Sequence, residues 1–386
     1  MLQIVPDLRQ GFAARAAIDV AGALGRLGGK ALVASSGGDL VSELQAKGGI
    51  FLPFPANARN PLSMALNVRR LAQLIKTERV DIVHARSRAP AWVAYGATRL
   101  VKTPFVTSYQ GSYARGGPLA LRYNSIMARG DAIIADSAYT ADRIATLYPP
   151  AKEKIAVVIG GVDCRIFAPK AVAPVRVQAL RRLWGVAADE RVILLAVGAR
   201  ASSGYKPAID AVKILAERGA ESALAGVKFI IDCEEQSGAF AREIDAAIGK
   251  ARLQHLMRRG EIGDRPAALL AVSAVAALPP NPEAFASLAL EAQAMGAPVI
   301  VPAVGAASET VLAPPEVDQS ARTGWRAPAL DAEALANAVS EILSLGATAR
   351  DRLSLRARTH VETLFSIEQM RAQTLGAYAA VRGDHQ

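Results

Sequence analysis

The chain has 386 residues, of which 51% are hydrophobic, 21% charged and 5% aromatic. At roughly 100–200 residues per domain this is a two-domain length, and the apolar content excludes a disordered chain. The formal net charge is +10; positions 1–160 hold 20 basic and 10 acidic residues, whereas the remaining 226 hold 25 of each. The excess on one half points to an anionic partner such as nucleic acid, a lipid surface or a phosphorylated substrate, the plain alternative being a solvated basic face. Two cysteines, Cys164 and Cys233, build no disulfide framework and point to a reducing compartment. The start, MLQIVPDLRQG, lacks a basic segment followed by an apolar one, and the uncharged stretch Pro266–Pro282 is interrupted by Pro279 and Pro280. A membrane span takes about 20 apolar residues, so a cytoplasmic protein is expected.

Apolar runs alternate with helical periodicity along the chain. Strands are expected at Leu2–Val5, Ala31–Ala34, Ile82–Ala85, Phe105–Thr107 and Ile133–Ala135. Helices between and after them fall at Ala13–Leu27, Asn60–Glu78, Pro90–Leu100, Leu119–Ala128 and Thr140–Leu147. The pattern resumes with strands at Val157–Ile159, Val192–Val197, Lys228–Ile231, Ala274–Leu278 and Pro298–Val301. Its helices are Pro207–Arg218, Gly238–Lys250, Arg265–Val272, Ser287–Met295, Asp331–Leu345 and Arg350–Phe365. Strand–helix alternation predicts an α/β chain with two doubly wound, Rossmann-like domains, each gathering ligands beyond the carboxyl ends of its strands. The boundary falls near Gly160-Gly161, giving domains at 1–160 and 161–365. Residues 366–386 read as a C-terminal helix expected to pack back on the first domain, and Ala168–Pro174 as a connection.

The segment Pro282–Met295, PEAFASLALEAQAM, carries the richest chemistry. With a helix starting near Ala286 or Ser287, Glu283 sits in the preceding loop and Glu291 one turn inside. The amides of Ala286, Ser287 and Leu288, just past Phe285, are then donors at a helix start, which favours phosphate. Glu291 can accept from ribose hydroxyls and Glu283 from those of a sugar; the plain alternative is an amphipathic helix with a glutamate on its wet face.

Extended to Val301, this segment resembles the donor-site motif of the family-4 retaining glycosyltransferases, which have the GT-B fold. Further segments fall in the family's order: HARSRAPAW (His84–Trp92), TSYQGSY (Thr107–Tyr113), RYNSIMARGDAIIADSAYTAD (Arg122–Asp142), IGGVDCRIF (Ile159–Phe167), GDRPAALLAVSAV (Gly263–Val275), GAASETV (Gly305–Val311) and TGWRAPALD (Thr323–Asp331). The set covers nearly the whole chain and is similar to the bacterial branch that builds cell-surface polysaccharide or lipopolysaccharide. The resemblance implies two Rossmann-like domains facing a central cleft, with sugar transfer from a nucleoside diphosphate to an acceptor hydroxyl with retention. The nucleotide-sugar donor is a substrate, so no cofactor is expected. Without an Asp-x-Asp pair or clustered histidines, no metal is expected either.

The chain departs from the family at four places, one being the Gly-Gly acceptor loop before the Glu-Thr-Val segment, which here reads Gly305-Ala306. The loop that usually supplies an Arg and a Lys to the leaving diphosphate reads AVGARASSGYKPAID. The Arg position falls on Gly198 or Ala199 and the Lys position on Ser203, leaving Arg200 and Lys206 as displaced candidates for the clamp. The His of the family's Tyr-His-Gly is Gln110, which hydrogen-bonds but carries no charge. The first loop has one glycine, Gly11, and keeps its arginine as Arg15.

The resemblance therefore implies Glu283, Gln110, Arg200 and Lys206 as catalytic candidates. It implies Glu291, Phe285, Ala286, Ser287, Leu288, Gly198 and Ser203 for the donor, and Arg86, Tyr109 and Arg122 on the acceptor side. The expected partners are the nucleotide sugar, an anionic glycan or glycolipid acceptor, and peripherally an anionic membrane. Nucleic acid is not expected, since the basic residues lack interleaved aromatics and a recognised module. The alternative that the displaced clamp leaves open is a catalytically impaired relative that binds a nucleotide, glycan or partner enzyme. A nucleotide-sugar epimerase would share the architecture.

Overall fold

The computed structural model describes residues 1–383 apart from 10, 59, 110–116, 198–203, 219–223, 233–237, 280 and 282–284. Gln110, Gly198, Arg200, Ser203 and Glu283 therefore lie outside the described residues. The chain divides into two compact units, Met1–Ile159 with Glu368–Gln386, and Gly160–Ile367.

The first unit holds seven parallel strands: β1 (Leu2–Ile4), β2 (Leu32–Ser35), β3 (Ile50–Pro53), β4 (Val83–Ala85), β5 (Phe105–Tyr109), β6 (Ala132–Ala135) and β7 (Ile155–Val157). Their order is β3-β2-β1-β4-β5-β6-β7, so the winding direction reverses between β1 and β4. The helices are α1 (Phe12–Arg26), α2 (Val41–Ala46), α3 (Pro61–Thr77), α4 (Arg88–Val101), α5 (Pro118–Asn124) and α6 (Ala138–Leu147). Leu2, Ile4, Val83, Ala85 and Phe105 bury one face of the sheet with α3 and α4. Val5 and Val33 meet α1 and α2 on the other. Side chains of Asn60 and Ser137 cap α3 and α6, each accepting from a first-turn amide.

The second unit holds β8 (Arg191–Ala196), β9 (Val227–Asp232), β10 (Met257–Arg259), β11 (Ala274–Ala277), β12 (Val299–Pro302) and β13 (Trp325–Ala327). All are parallel in the order β10-β9-β8-β11-β12-β13, again reversing beside the first strand. Its helices are α7 (Pro174–Leu183), α8 (Tyr205–Glu217), α9 (Ala239–Lys250), α10 (Arg265–Ala271), α11 (Ser287–Ala294), α12 (Gly305–Ser308), α13 (Ala332–Ser344) and α14 (Ala347–Leu364). Ile193, Leu195, Phe229 and Ile231 pack under α8, α9 and α13, while Val192, Leu194, Ile230 and Val275 meet α7, α10 and α11. A last helix, α15 (Ile367–Gly383), carries the chain back into the first unit.

Several elements differ from the sequence expectation. β3, β10 and β13 lie at sheet edges and are three or four residues long. An edge strand needs no continuous apolar run, so charged Arg258 and Arg259 fit β10. Helix α7 begins at Pro174, which suits the first helical position because the missing amide hydrogen would have no partner there. The helix expected over Leu119–Ala128 is α5 followed by a 3-10 turn, Ser125–Ala128.

Where the chain enters the second unit, a Cβ on Gly161 would lie 2.7 Å from the Cα of Ile367 and 2.8 Å from the carbonyl oxygen of Ser366. Glycine here serves close approach. It lets Val162 N–H reach the Phe365 carbonyl at 2.8 Å and Ile367 N–H reach the Val162 carbonyl at 2.9 Å.

Candidate functional site

The carboxyl ends of β8 and β11 meet at the point where winding reverses, the usual ligand crevice of a doubly wound sheet. Leu278 N–H donates to the Ala196 carbonyl at 2.8 Å, joining the two strand ends. Gly204 opens α8 directly against Leu278, where an added Cβ would sit 3.1 Å from the leucine Cβ. An apolar hollow lined by Gly204, Pro207, Leu278, Ile300, Pro302 and Leu335 adjoins this point.

Helix α11 carries the candidate donors. Its sequence, SLALEAQA, consists largely of strong helix formers, and Ala289, Leu290, Ala292, Gln293 and Ala294 are buried. A helix apolar on nearly every side belongs in an interior. The helix closes at Gly296, with φ of 77° and Ala297 N–H returning to the Ala292 carbonyl. Its start is different: the N-cap is Ala286, which has no side-chain acceptor to offer the first-turn amides. Partial positive charge collects at such an end.

Glu291 lies one turn inside, its side chain 13% exposed. Arg265 Nη1 donates to both carboxylate oxygens, at 3.1 and 3.2 Å. Arg265 is the first residue of α10, whose N-cap Asp264 accepts from Ala267 N–H at 3.3 Å. Two nitrogens of Arg176 reach Asp264 at 2.6 and 2.7 Å and hold its carboxyl below the ordinary value. Gln293, fully buried, donates to the Ala289 carbonyl at 3.2 Å and the Thr310 carbonyl at 2.8 Å, fixing α11 to the segment after α12.

The structure thus brings together Phe285, Ala286, Ser287, Leu288 and Glu291. Lys206 lies in the first turn of α8, exposed, its ammonium 5.8 Å from the centre of the Tyr205 ring. Tyr205 is buried and donates to Glu243; burial, then this carboxylate, pushes its pKa up to about 12. Arg265 is the site residue that the sequence reading omits. It lies in the family-like segment Gly263–Val275, but nothing local marks its pairing, because its partner stands 26 positions away on a different helix. Among the described residues no group of three or more His, Cys, Asp or Glu side chains could hold a metal ion.

In the first unit the three acceptor-side candidates differ in access. Arg122 is exposed on α5, Tyr109 is in the core, and Arg86, just past β4, is buried. Arg86 Nε donates to Gln3 Oε1 at 2.7 Å and Nη1 lies 3.5 Å from Ser108 Oγ. Beside it His84 contacts Tyr378 Oη of α15 through Nδ1 at 2.6 Å and Ser108 Oγ through Nε2 at 2.8 Å. Burial, with the Arg86 charge added, holds His84 well below the usual histidine value, so it is neutral. On the outer side of α4, Arg88 lies over Tyr123, and Arg129 over Trp92 and Tyr95, at 5.4–5.9 Å. Leu119, Arg122 and Tyr123 of α5 are exposed nearby.

Two family models divide the chain between them. The model of glycosyltransferase family 4 matches residues 13–165, and that of glycosyl transferases group 1 matches residues 191–345. A glycosyltransferase from Rickettsia africae, 28% identical, superposes with a TM-score of 0.83 over 98% of this chain and 97% of its own. The chain belongs to the GT-B glycosyltransferases. The fold extends to distant sequences: Anabaena HepE, solved with UDP and glucose, is 19% identical with a TM-score of 0.80, covering 98% of this chain and 99% of that one. The D-inositol 3-phosphate glycosyltransferase of Jonesia denitrificans is 29% identical over 188 residues, 48% of this chain. That match spans 44% of the curated relative's length. No helix among the described residues is long and apolar enough to cross a membrane.

Proposed function

We propose that this GT-B chain transfers a sugar from a nucleoside-diphosphate sugar to an anionic glycan or glycolipid, with retention, in the building of cell-surface polysaccharide or lipopolysaccharide. The observation that carries the reading is the pairing of an α11 start without a side-chain cap with a carboxylate one turn further on, at the carboxyl edge of a parallel sheet. A diphosphate gains negative charge as it leaves. Amides fixed at a helix start stabilise that charge without reorganising as the bond breaks. Glu291 is then the acceptor for ribose hydroxyls, and the exposed ammonium of Lys206 supplies mobile positive charge from α8.

Glu283, Arg200, Ser203 and Gly198 remain the further candidates of the second unit for the donor, and Gln110 a catalytic candidate of the first; on this reading the nucleotide sugar needs neither metal nor cofactor. The matched relatives named for D-inositol 3-phosphate, and the basic excess of positions 1–160, both favour an anionic acceptor. Arg122, Tyr123 and Leu119 would meet the acceptor or an anionic membrane at the cytoplasmic face, with charge attracted and apolar side chains inserted.

The test is calorimetric titration with UDP, GDP and ADP beside a transfer and hydrolysis screen of their sugars. Glu291→Ala removes charged hydrogen bonds worth about 1.5–3 kcal/mol and is expected to weaken the best nucleotide at least tenfold. Unchanged binding refutes the ribose assignment. Tight binding without turnover of any sugar replaces the transferase reading with that of a non-catalytic relative.

A further inference from the structure

Arg265 lies in the family-like segment Gly263–Val275, where the resemblance gives it no role, and it is a cation joined to the carboxylate assigned to ribose. Its Nη1 bridges both oxygens of Glu291 at 3.1 and 3.2 Å. One donor shared between both oxygens fixes the rotation of the carboxylate about its last bond. An ionised carboxylate has room for about four donors. Arg265 is itself placed by a helix start: α10 begins at this residue, capped by Asp264, which Arg176 anchors through two hydrogen bonds. The Glu291 side chain is 13% exposed and that of Arg265 47%, so the pair sits at the rim, the carboxylate inside and the guanidinium towards solvent.

We propose that Arg265 is a positioning and specificity-determining residue. By fixing the Glu291 carboxylate it makes binding depend on the ribose hydroxyls. This rests on the reading of Glu291 as the ribose contact. An exposed ion pair contributes only about 0–1 kcal/mol to stability, so a variant lacking it remains folded and the effect falls on recognition. A carboxylate that has lost this donor still attracts hydroxyls but holds less firmly the geometry that separates a ribose from a 2′-deoxyribose.

The experiment is calorimetry on the full chain with UDP, GDP and ADP and their 2′-deoxy counterparts. Wild type, Arg265→Ala, Arg265→Lys and Glu291→Ala are compared, with the same variants combined in a double-mutant cycle. Arg265→Ala is expected to weaken the best ribonucleotide about five- to tenfold. The ratio of 2′-deoxy to ribo dissociation constants is expected to fall towards one. Lysine is expected to restore part of both, and the effect of Arg265→Ala to vanish in the Glu291→Ala background. A purely structural role would lower the melting temperature or the binding stoichiometry and leave that ratio unmoved, which would overturn the proposal. Equal or tighter binding by Arg265→Ala would also overturn it. Failure of the wild type to bind any of the six nucleotides would instead refute the ribose reading beneath it.

Discussion

Replacing Tyr378 with phenylalanine removes one oxygen from a fully described network. The tyrosine is 4% exposed and its hydroxyl lies 2.6 Å from Nδ1 of His84, which is 0% exposed. Burial pushes the Tyr378 pKa up to about 12 against the pull of Arg86, so the phenol keeps its proton at every working pH. The ring stays in place, so no cavity opens. The cost is an unpaired His84 nitrogen in a site closed to water, about 1–3 kcal/mol. For amides that exchange through opening of the first unit, this is a factor of roughly 5–150 in rate. Hydrogen exchange read by mass spectrometry separates peptides of β4 and α15 from those of the second unit, which a single melting curve of a two-unit chain does not. Faster exchange is expected in the first set and unchanged exchange in β8–β13. Equal protection of the β4 and α15 peptides in wild type and variant would refute the reasoning.

The same histidine sets a pH dependence. Its folded proton affinity is depressed from 6.5, so the unfolded chain binds more protons and stability rises with pH through that window. Stability of the first unit is expected in full above about pH 6.5 and to decline below it, and His84→Gln should flatten that slope in urea titrations followed by exchange. Gly161→Ala places a Cβ within 3.0 Å of three backbone atoms and is expected to cost at least about 2 kcal/mol, read as a lower urea midpoint. Gln293→Leu strands the Thr310 carbonyl; a loss of about 1–3 kcal/mol in the second unit, with weaker nucleotide binding, is expected by denaturation and calorimetry. Full-chain protein should sediment with vesicles containing anionic lipid at low salt and be released by high salt; no retention at low salt excludes the membrane contact.

How far the sequence foretells this structure depends on burial. Strands flanked on both sides, such as Val192–Leu195 and Phe229–Ile231, must be apolar on both faces, and an apolar run is visible in one dimension. β10 and β13 have one neighbour each and three residues, and nothing local separates Met257-Arg258-Arg259 from a turn. Pro174 looks like a stop but is a start, because the same ring that breaks a helix interior suits its first position. In the site, Glu291 is readable since its helix and its neighbours are contiguous. Arg265 is not, because α10 and α11 are brought together by the return of the chain through β11, a fact of topology. Arg86 shows the converse: the resemblance implies an acceptor-side residue, and only the fold reveals that Gln3, His84 and Tyr378 surround it.

The bond from Gln293 to the Thr310 carbonyl ties α11, which carries Glu291, to the segment following α12. Both ends of that tether are fully buried, so neither can slip into water and be replaced by a solvent molecule. A compound that pushed Gly305–Val311 outward would therefore drag the carboxylate along or snap the tether. Occupancy of the two places is then linked energetically even though no atom of one visitor touches the other.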